Sequence, residues 1–240
     1  QKNFFWDGRS HTLMDQVSSV FTNTDEFNSN VHTFSKDILQ DSTYKNLFQE
    51  AYRGVSNRNI DVIKAIAAYV ATLNGFNSKF DRNMRGEEDT FTQSEKEGMN
   101  LFMGKALCAT CHFIPLTNGT VPPFFQETER EVIGVPNTSE NRALDDDLGY
   151  YWKFNESLHK GMFKTPTVRN ASLTAPYMHN GVYNTLEEVI DFYNKGGGGG
   201  LGFDLEHQTL PFDNLKLTDK EQRALVDFVK TLTDTQVDSY

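Results

Sequence analysis

The chain contains 240 residues, which is enough for one large domain or two of modest size. Hydrophobic residues account for 38% of it and aromatic residues for 12%, so it can bury a core and wall in a bound group. The formal net charge of −10 argues against a nucleic-acid partner and favours either basic partners or simple solubility. No apolar run reaches the roughly 18 residues that a membrane-spanning helix requires, and no signal peptide is recognisable.

Helical periodicity dominates the first third of the chain. Apolar spacing predicts helices over residues 13–20, 42–52 and 60–73, and in the last of these the apolar residues recur on one face. The stretch 83–89 carries charge and glycine without apolar periodicity, so it predicts a linker. We therefore expect a domain boundary near residue 86.

Three later helix starts are marked by capping boxes, in which a threonine and a glutamate three residues later satisfy each other's backbone N–H groups. The helix after the first box should end near Gly104, and the helix after the last carries apolar residues at helical spacing. Since no sustained alternating pattern accompanies them, we expect an all-α fold. The boxes are Thr92 with Glu95, Thr185 with Glu188, and Thr218 with Glu221.

Two segments lack helical periodicity altogether. Residues 113–162 are rich in proline, asparagine, aspartate and aromatic residues, and loops of this length inside a domain are usually functional or organised by a ligand. Residues 196–200 are five consecutive glycines directly after a predicted helix, which predicts a flexible loop. A phosphate-binding loop is not indicated there, because the following lysine and the flanking strand are missing.

The most specific motif is Cys108-Ala109-Thr110-Cys111-His112, which has the C-x-x-C-H spacing of covalent haem c attachment. Each cysteine can form a thioether with a haem vinyl group, and the histidine can supply an axial nitrogen to iron. A structural disulfide and a thioredoxin-like redox pair are alternatives, although no βαβ pattern surrounds the motif. Half of a zinc site is a further alternative, but the chain has no second pair of cysteines. Haem attachment is the favoured interpretation.

A helix, this motif, an irregular wrap and a closing amphipathic helix together indicate a cytochrome c domain. In such a domain the haem itself would supply the core that the irregular segment lacks. Covalent haem c is assembled outside the bacterial cytoplasm, so we expect a periplasmic or otherwise exported protein. The negative charge would then suit electrostatic docking of a basic redox protein.

Several separated stretches also resemble one family, the bacterial di-haem cytochrome c peroxidases and the related MauG-like enzymes. They follow the family's order and together cover most of the chain. A lone C-x-x-C-H would be unspecific, whereas this ordered set is a strong resemblance. The stretches are residues 5–9 (FWDGR), Gln16 and Glu26, residues 108–112 (CATCH), residues 163–170 (FKTPTVRN), residues 173–181 (LTAPYMHNG) and residues 185–189 (TLEEV).

The family carries two cytochrome c domains with one haem each, whereas this sequence holds a single C-x-x-C-H. The resemblance therefore implies that residues 1–86 are the C-terminal part of the peroxidatic, first domain. Residues 87–240 would form the haem c domain for electron transfer. We expect a piece of a longer polypeptide with a second haem, rather than a natural one-haem relative, because Trp6, Gln16 and Glu26 make sense only beside a second haem.

The resemblance also assigns catalytic roles in the first domain. Glu26 would be the carboxylate that moves a proton between the two peroxide oxygens as their bond breaks, with Gln16 as the neighbouring distal amide. Trp6 resembles the tryptophan between the two haems, where an indole relays an electron or a hole. From the residues alone, Glu26 would be a surface carboxylate and Trp6 a core anchor.

The axial ligands of the haem in this chain are expected to be His112 and one of two side chains opposite it. In the family the sixth ligand lies in the helix after Thr185, at the position held here by Tyr193. Standard peroxidases have methionine there and MauG-like members have tyrosine, whose phenolate stabilises ferric iron. Met178 is the alternative, because a thioether opposite histidine raises the reduction potential. We favour Tyr193, and His179 resembles a family histidine near the haem edge.

Two further sites follow from the resemblance. Arg169 is expected to pair bidentately with a haem propionate, a geometry suited to guanidinium. Thr174 and Pro176 match positions whose backbone carbonyls bind calcium between the family's domains, although the upstream side-chain ligand is missing here. The resemblance is also compatible with a homodimer.

The implied function is an oxidoreductase that reduces hydrogen peroxide to water with electrons passed through the haem on His112. A small cytochrome c or copper protein would donate the electrons. The alternatives are MauG-like oxidation of a protein substrate, a mono-haem electron-transfer cytochrome without catalysis, and a haem-based sensor.

Overall fold

Residues 2–53 and 59–234 are described by the structure, a computed structural model of the chain. The chain forms two compact units. The smaller one is Ser10–Asn74, and the larger one combines Gln1–Arg9 with Gly75–Tyr240. The units thus divide at Asn74, and the assignment of residues 1–86 to one cytochrome c-like domain stays a prediction.

Helices dominate the described residues, which confirms the predicted all-α class. The exception is one small antiparallel sheet, in which β1 (Arg130–Val132) pairs with β2 (Met162–Lys164). Three residues per strand are too few to show alternation in the sequence. The helices are α1 (Leu13–Thr22), α2 (Val31–Ile38), α3 (Ser42–Ala51), α4 (Asn59–Thr72), α5 (Lys79–Met84), α6 (Gln93–Met103), α7 (Tyr151–Phe154), α8 (Leu186–Asn194), α9 (Gly197–Gly200) and α10 (Asp219–Thr231).

The smaller unit has its own apolar core, built where α1 and α2 pack on α4. Val17 and Phe21 of α1 meet Ile63 and Ala67 of α4 there, and all four are buried. The apolar face predicted for α4 is thus confirmed in its middle, whereas Ile60 at its start is exposed.

The larger unit is organised by the crossing of α6 and α10. Gly98 lies at the crossing, where an added Cβ would collide with the backbone carbonyl of Ala224, so glycine permits the close approach. Around this point Phe102 of α6 packs against Phe228 of α10, with ring centroids 5.3 Å apart. Leu225 completes a core that is almost fully closed to solvent. This pair of helices forms one side of the candidate site described below.

All three predicted capping boxes are confirmed. Thr92, Thr185 and Thr218 each cap a helix and exchange side-chain and backbone hydrogen bonds with the glutamate three residues on. The first helix ends at its predicted Gly104 cap. Two further boxes begin at Thr12 and Ser78, where aspartate takes the place of glutamate.

The predicted flexible glycine loop is wrong, and the predicted linker is shorter than expected, with residues 85–89 outside any helix. The glycine run contains helix α9, and Gly198 packs so closely against Gly134 that a Cβ would collide with its backbone. Its glycines therefore serve close packing rather than flexibility. The predicted linker at residues 83–89 begins inside α5, and its charges form ion pairs. Nε of Arg82 lies 2.6 Å from Oε1 of Glu88.

Candidate functional site

The larger unit encloses a cavity of about 330 Å³. Helices α6, α8 and α10, strand β2 and the segment of the C-x-x-C-H motif all contribute to its wall. The wall is mostly apolar, which suits a flat aromatic ligand better than a polar substrate. Its apolar side chains include Phe102, Ile133, Val135, Phe163, Val189, Ile190, Leu225 and Val229.

The C-x-x-C-H motif folds directly after α6 into a single 3₁₀ turn, Cys108–Thr110. The turn is closed by backbone hydrogen bonds from Cys111 and His112 to the carbonyl of Cys108, at 3.3 and 2.9 Å. As a result the two sulfur atoms and the imidazole line the same cavity. Both cysteines are free thiols, so the disulfide interpretation is not what the structure shows.

The environment of the two thiols is unsuited to a preformed thiolate site. Burial raises the pKa of both Cys108 and Cys111 to about 12, and the Glu131 carboxylate beside Cys111 adds to the effect. The Sγ atom of Cys111 lies 3.6 Å from Oε1 of Glu131. Two sulfur atoms in an apolar wall fit thioether links to haem, and the chain has no second pair of cysteines to complete a zinc site.

His112 is held in the tautomer that an iron ligand needs. Its Nδ1 lies 3.0 Å from the backbone carbonyl of Pro166, which can only accept a hydrogen bond, so Nδ1 carries the proton. The lone pair is therefore on Nε2, and second-shell bonds of this kind are usual for ligating histidines. Burial lowers the pKa of His112 to about 4, which keeps the ring neutral.

Both candidates for the opposite ligand, Tyr193 and Met178, line the same cavity as His112. Burial raises the pKa of the Tyr193 phenol, and the sulfur atoms of Cys108 and Cys111 raise it further. None of the described residues hydrogen-bonds its hydroxyl. Met178 has a φ of 68°, a left-handed conformation that methionine rarely adopts. A half-buried phenol that lines the cavity and has no hydrogen-bond partner among the described residues can reach a bound metal, so the site fits haem c with Tyr193 available to it.

His179 is fixed between an aromatic ring and a carboxylate. Its ring stacks on Phe163 with centroids 3.7 Å apart, and its Nε2 lies 3.3 Å from Oδ1 of Asp145. Asn180 donates to the other oxygen of Asp145 at 2.8 Å. Burial by itself would raise the pKa of Asp145, but these hydrogen bonds outweigh it and lower the pKa. His179 lies at the cavity wall, as predicted from the resemblance, and its role stays a prediction.

Trp6 also lines the cavity, although it is far along the chain from the other lining residues. Its backbone carbonyl accepts a hydrogen bond of 2.8 Å from the amide of Lys164 in β2, which holds the N-terminal segment against the sheet. The indole is 42% exposed, so it is not a buried core anchor. This position suits contact with a second group outside the cavity.

Arg169 does not line the cavity, and its guanidinium is used within the protein. Its Nη1 and Nη2 atoms donate to the two oxygens of Asp81, each at 2.8 Å. They also donate to the carbonyls of Gly75 and Pro115. The expected pairing of Arg169 with a propionate is therefore replaced by an internal bidentate ion pair. Burial alone would raise the pKa of Asp81, yet the bonds from Arg169 and Ser78 outweigh it and hold the pKa below its usual value.

We expect Asp81→Asn to lower the free energy of unfolding at neutral pH by about 3 kcal/mol, because it leaves the buried Arg169 without its counter-charge. The lowered pKa of Asp81 means that its stabilisation is complete above the unfolded-state value near 3.8 and is lost as the pH falls through the folded-state value. Urea unfolding of the variant and the native protein should therefore converge in acid. Asp89→Asn, at an exposed carboxylate, is the control and should match the native protein. A difference that does not change with pH would contradict the prediction.

Gln16 and Glu26 lie in the smaller unit. Gln16 is half-buried on α1, and Glu26 is exposed in the turn that follows that helix. The side-chain amide of Asn23 donates to Oε1 of Glu26 at 2.8 Å and orients the carboxylate. Both roles stay predictions.

Thr174 and Pro176 are exposed on a loop whose side chains also reach the cavity wall. Among the described residues, one group brings three possible metal-binding atoms within 4.8 Å of one another, and it consists of Cys111, Glu129 and Glu131. It includes neither residue of the predicted calcium site, which stays a prediction.

None of the described helices combines the length and apolar character needed to cross a lipid bilayer.

Sequence reasoning missed two charged residues of the cavity wall, Glu131 on β1 and Lys164 on β2. Lys164 falls inside a stretch that resembles the family, but its residue type alone gave no role. Glu131 lies in the irregular segment, where no periodicity signals which side chains turn inward.

Comparisons with known proteins concern the chain as a whole. The model of the di-haem cytochrome c peroxidase family matches residues 1–89. Cytochrome-c peroxidase IdrP1 of Pseudomonas sp. (strain SCT) is 33% identical over 247 residues, covering 95% of this chain and 64% of that protein. Methylamine utilization protein MauG of Methylorubrum extorquens is 30% identical over 234 residues, covering 95% and 60%. The chain thus spans less than two thirds of the length of these relatives.

Solved structures show the same relationship. A MauG-like protein associated with microbial copper homeostasis has a TM-score of 0.81 and 26% identity, covering 98% of this chain and 73% of that one. The diheme peroxidase BthA of Burkholderia thailandensis has a TM-score of 0.74, covering 98% and 67%. At 22% identity, the second likeness concerns the fold alone.

Proposed function

Since the chain belongs to the di-haem cytochrome c peroxidase and MauG family, we propose that it forms the larger part of a haem c peroxidase. The enzyme would reduce hydrogen peroxide, consuming two electrons and two protons and releasing two water molecules. Because the chain spans 64% of the length of its peroxidase relative, the complete enzyme would be longer and carry a second haem. Residues 1–86 would then belong to the peroxidatic domain, and residues 87–240 would form the haem c domain for electron transfer.

One observation carries this proposal. Cys108, Cys111 and His112 line one apolar cavity together with Tyr193 and Trp6. Two neutral thiols would attach a haem covalently, and an imidazole with a free Nε2 and an unpartnered phenol would be available to its iron. When bound, the haem supplies an iron that exchanges single electrons.

The chain's own side chains have distinct tasks in this reaction. The carbonyl of Pro166 orients His112, and the apolar wall would exclude water from a haem bound in the cavity. Trp6, half-exposed at the cavity, would relay electrons toward the peroxidatic site. Glu26, oriented by Asn23, would accept a proton from one peroxide oxygen and return it to the other.

The cavity-lining tyrosine favours a second candidate function, MauG-like oxidation of a protein substrate. A phenolate ligand at Tyr193 would lower the reduction potential of the haem and so stabilise highly oxidised states. Oxidised states that persist can draw electrons from a protein partner rather than from a small donor. The same site would serve both functions, and the electron source distinguishes them.

The partners and location follow from the chemistry. A small cytochrome c or copper protein is the proposed electron donor, and the net charge of −10 suits a basic one. The complete enzyme would be exported to the periplasm, because covalent haem c is assembled outside the bacterial cytoplasm. Calcium at Thr174 and Pro176 and a homodimeric assembly are further parts of the proposal.

The first test is a count of haem per chain on the full-length native protein, by intact mass and pyridine haemochrome. Two haems, together with turnover of hydrogen peroxide by a reduced small cytochrome c, are expected. One haem, a six-coordinate iron and no reaction with peroxide would instead identify a mono-haem electron-transfer cytochrome. Two haems with oxidation of a protein partner, but no turnover with small donors, would favour the MauG-like function.

A further inference from the structure

Lys164 is the lysine among the cavity-lining residues, and no described carboxylate pairs with it. Its backbone is fixed in β2, where its amide donates to the carbonyl of Trp6 at 2.8 Å. The carboxylate in the same wall, Glu131, is directed to the Sγ atom of Cys111 at 3.6 Å. Lys164 thus lines the cavity wall, and its ammonium group has no counter-ion among the described residues.

A second cation lies directly beside it. Arg130 of β1 is the register partner of Lys164 across the sheet, and like charges in that position repel each other. The Arg130 guanidinium lies 4.3 Å from the Tyr150 ring centroid, and its Nε is buried without a hydrogen-bond partner. Burial lowers the pKa of Lys164, and the charge of Arg130 lowers it further.

Two adjacent cations, one of them on a residue that lines an apolar cavity, are costly unless an anion is bound nearby. The anion has to reach the wall formed by β2. A carboxylate satisfies an ammonium and an adjacent guanidinium well, because charge-assisted hydrogen bonds are the strong ones. The protein supplies none here, whereas it supplies Asp81 to Arg169.

We propose that Lys164 binds a propionate carboxylate of the haem attached to Cys108 and Cys111, with Arg130 adding positive charge behind it. This inference rests on the proposed haem c function of the larger unit. It replaces the role expected of Arg169, whose guanidinium is already held by Asp81. The remaining source of such an anion is a free carboxylate or phosphate from solution.

The test uses the full-length holoprotein with Lys164→Met, Lys164→Arg and, as a matched control, Lys230→Met at an exposed position of α10. The first readout is the reduction potential of this haem at mildly alkaline pH. We expect it to fall in Lys164→Met, because a nearby cation stabilises the reduced state, and to be restored by Lys164→Arg. The second readout is the redox-difference infrared band of ¹³C-labelled propionates, which should shift in Lys164→Met and not in Lys230→Met.

The outcomes separate the possibilities. An unchanged propionate band in Lys164→Met would overturn the proposal even if the reduction potential changed. The charge of Lys164 would then affect the haem from a distance, without binding a propionate. A native potential that depends on added inorganic phosphate at constant ionic strength would also overturn it, since a free anion would then occupy the site. A chain that carries no haem would contradict the proposed function itself, before any variant is compared.

Discussion

Glu26→Gln in the full-length enzyme is expected to lower kcat for hydrogen peroxide by about 10²–10⁴-fold, the usual contribution of a positioned acid–base group. Glutamine keeps the size of the side chain but cannot take up the proton that has to move between the peroxide oxygens. The structure places Glu26 in the turn after α1, where Asn23 donates to its Oε1 at 2.8 Å. That bond orients the carboxylate through Oε1. The Asn23 amide does not engage the other oxygen, Oε2.

The matched control for this variant is Asp25→Asn, which removes an exposed carboxylate one residue away. It should retain the native rate, and both variants should keep the native haem content and reduction potentials. Stopped-flow reduction of peroxide by the half-reduced enzyme measures the rate directly. A rate in Glu26→Gln within a factor of two or so of native would remove Glu26 from the mechanism.

Outside the C-x-x-C-H motif, Tyr193→Phe should change the haem on His112 more than any other single substitution in the cavity wall. Phenylalanine retains the ring but loses the oxygen that we propose as the ligand opposite His112. The potential should rise by on the order of 0.1 V, within the roughly 0.8 V range that axial ligands span. Loss of the ferric phenolate charge-transfer band should accompany the shift.

Met178→Leu is the matched variant, because Met178 is the competing ligand in the same wall. If tyrosine is the ligand, this variant keeps the native visible spectrum and potential. The opposite pattern, a changed spectrum in Met178→Leu and a native one in Tyr193→Phe, would assign the thioether. It would also remove the observation that favours a MauG-like function.

Local signals in the sequence predicted local structure well. The threonine–glutamate boxes predict the starts of α6, α8 and α10 because both partners of each box lie within one helical turn. The boxes at Thr12 and Ser78 were missed because aspartate, with its shorter side chain, stands in the third position. The haem motif was recognisable for the same reason, since its ligands are neighbours in the chain.

Contacts between distant residues were not predictable in this way. Asp81 and Arg169 are 88 residues apart, so nothing near Arg169 shows that an internal carboxylate holds it. The glycines of α9 looked flexible because the backbone that packs against Gly198 belongs to Gly134. The charge of Lys164 acquires its meaning only when β1 brings Arg130 beside it.

The crossing of α6 and α10 also bears on the order of events during biogenesis. Ser94 donates to Asp227 across this crossing, and the two residues are 133 positions apart, so the crossing forms only once nearly all of the larger unit has been made. Before that, Cys108 and Cys111 have the ordinary thiol pKa of about 8.5. In the folded cavity burial raises the pKa of both thiols, so the reactive thiolate is scarcer there. We therefore expect the open chain to be the form competent for haem attachment, with folding closing over the finished bonds.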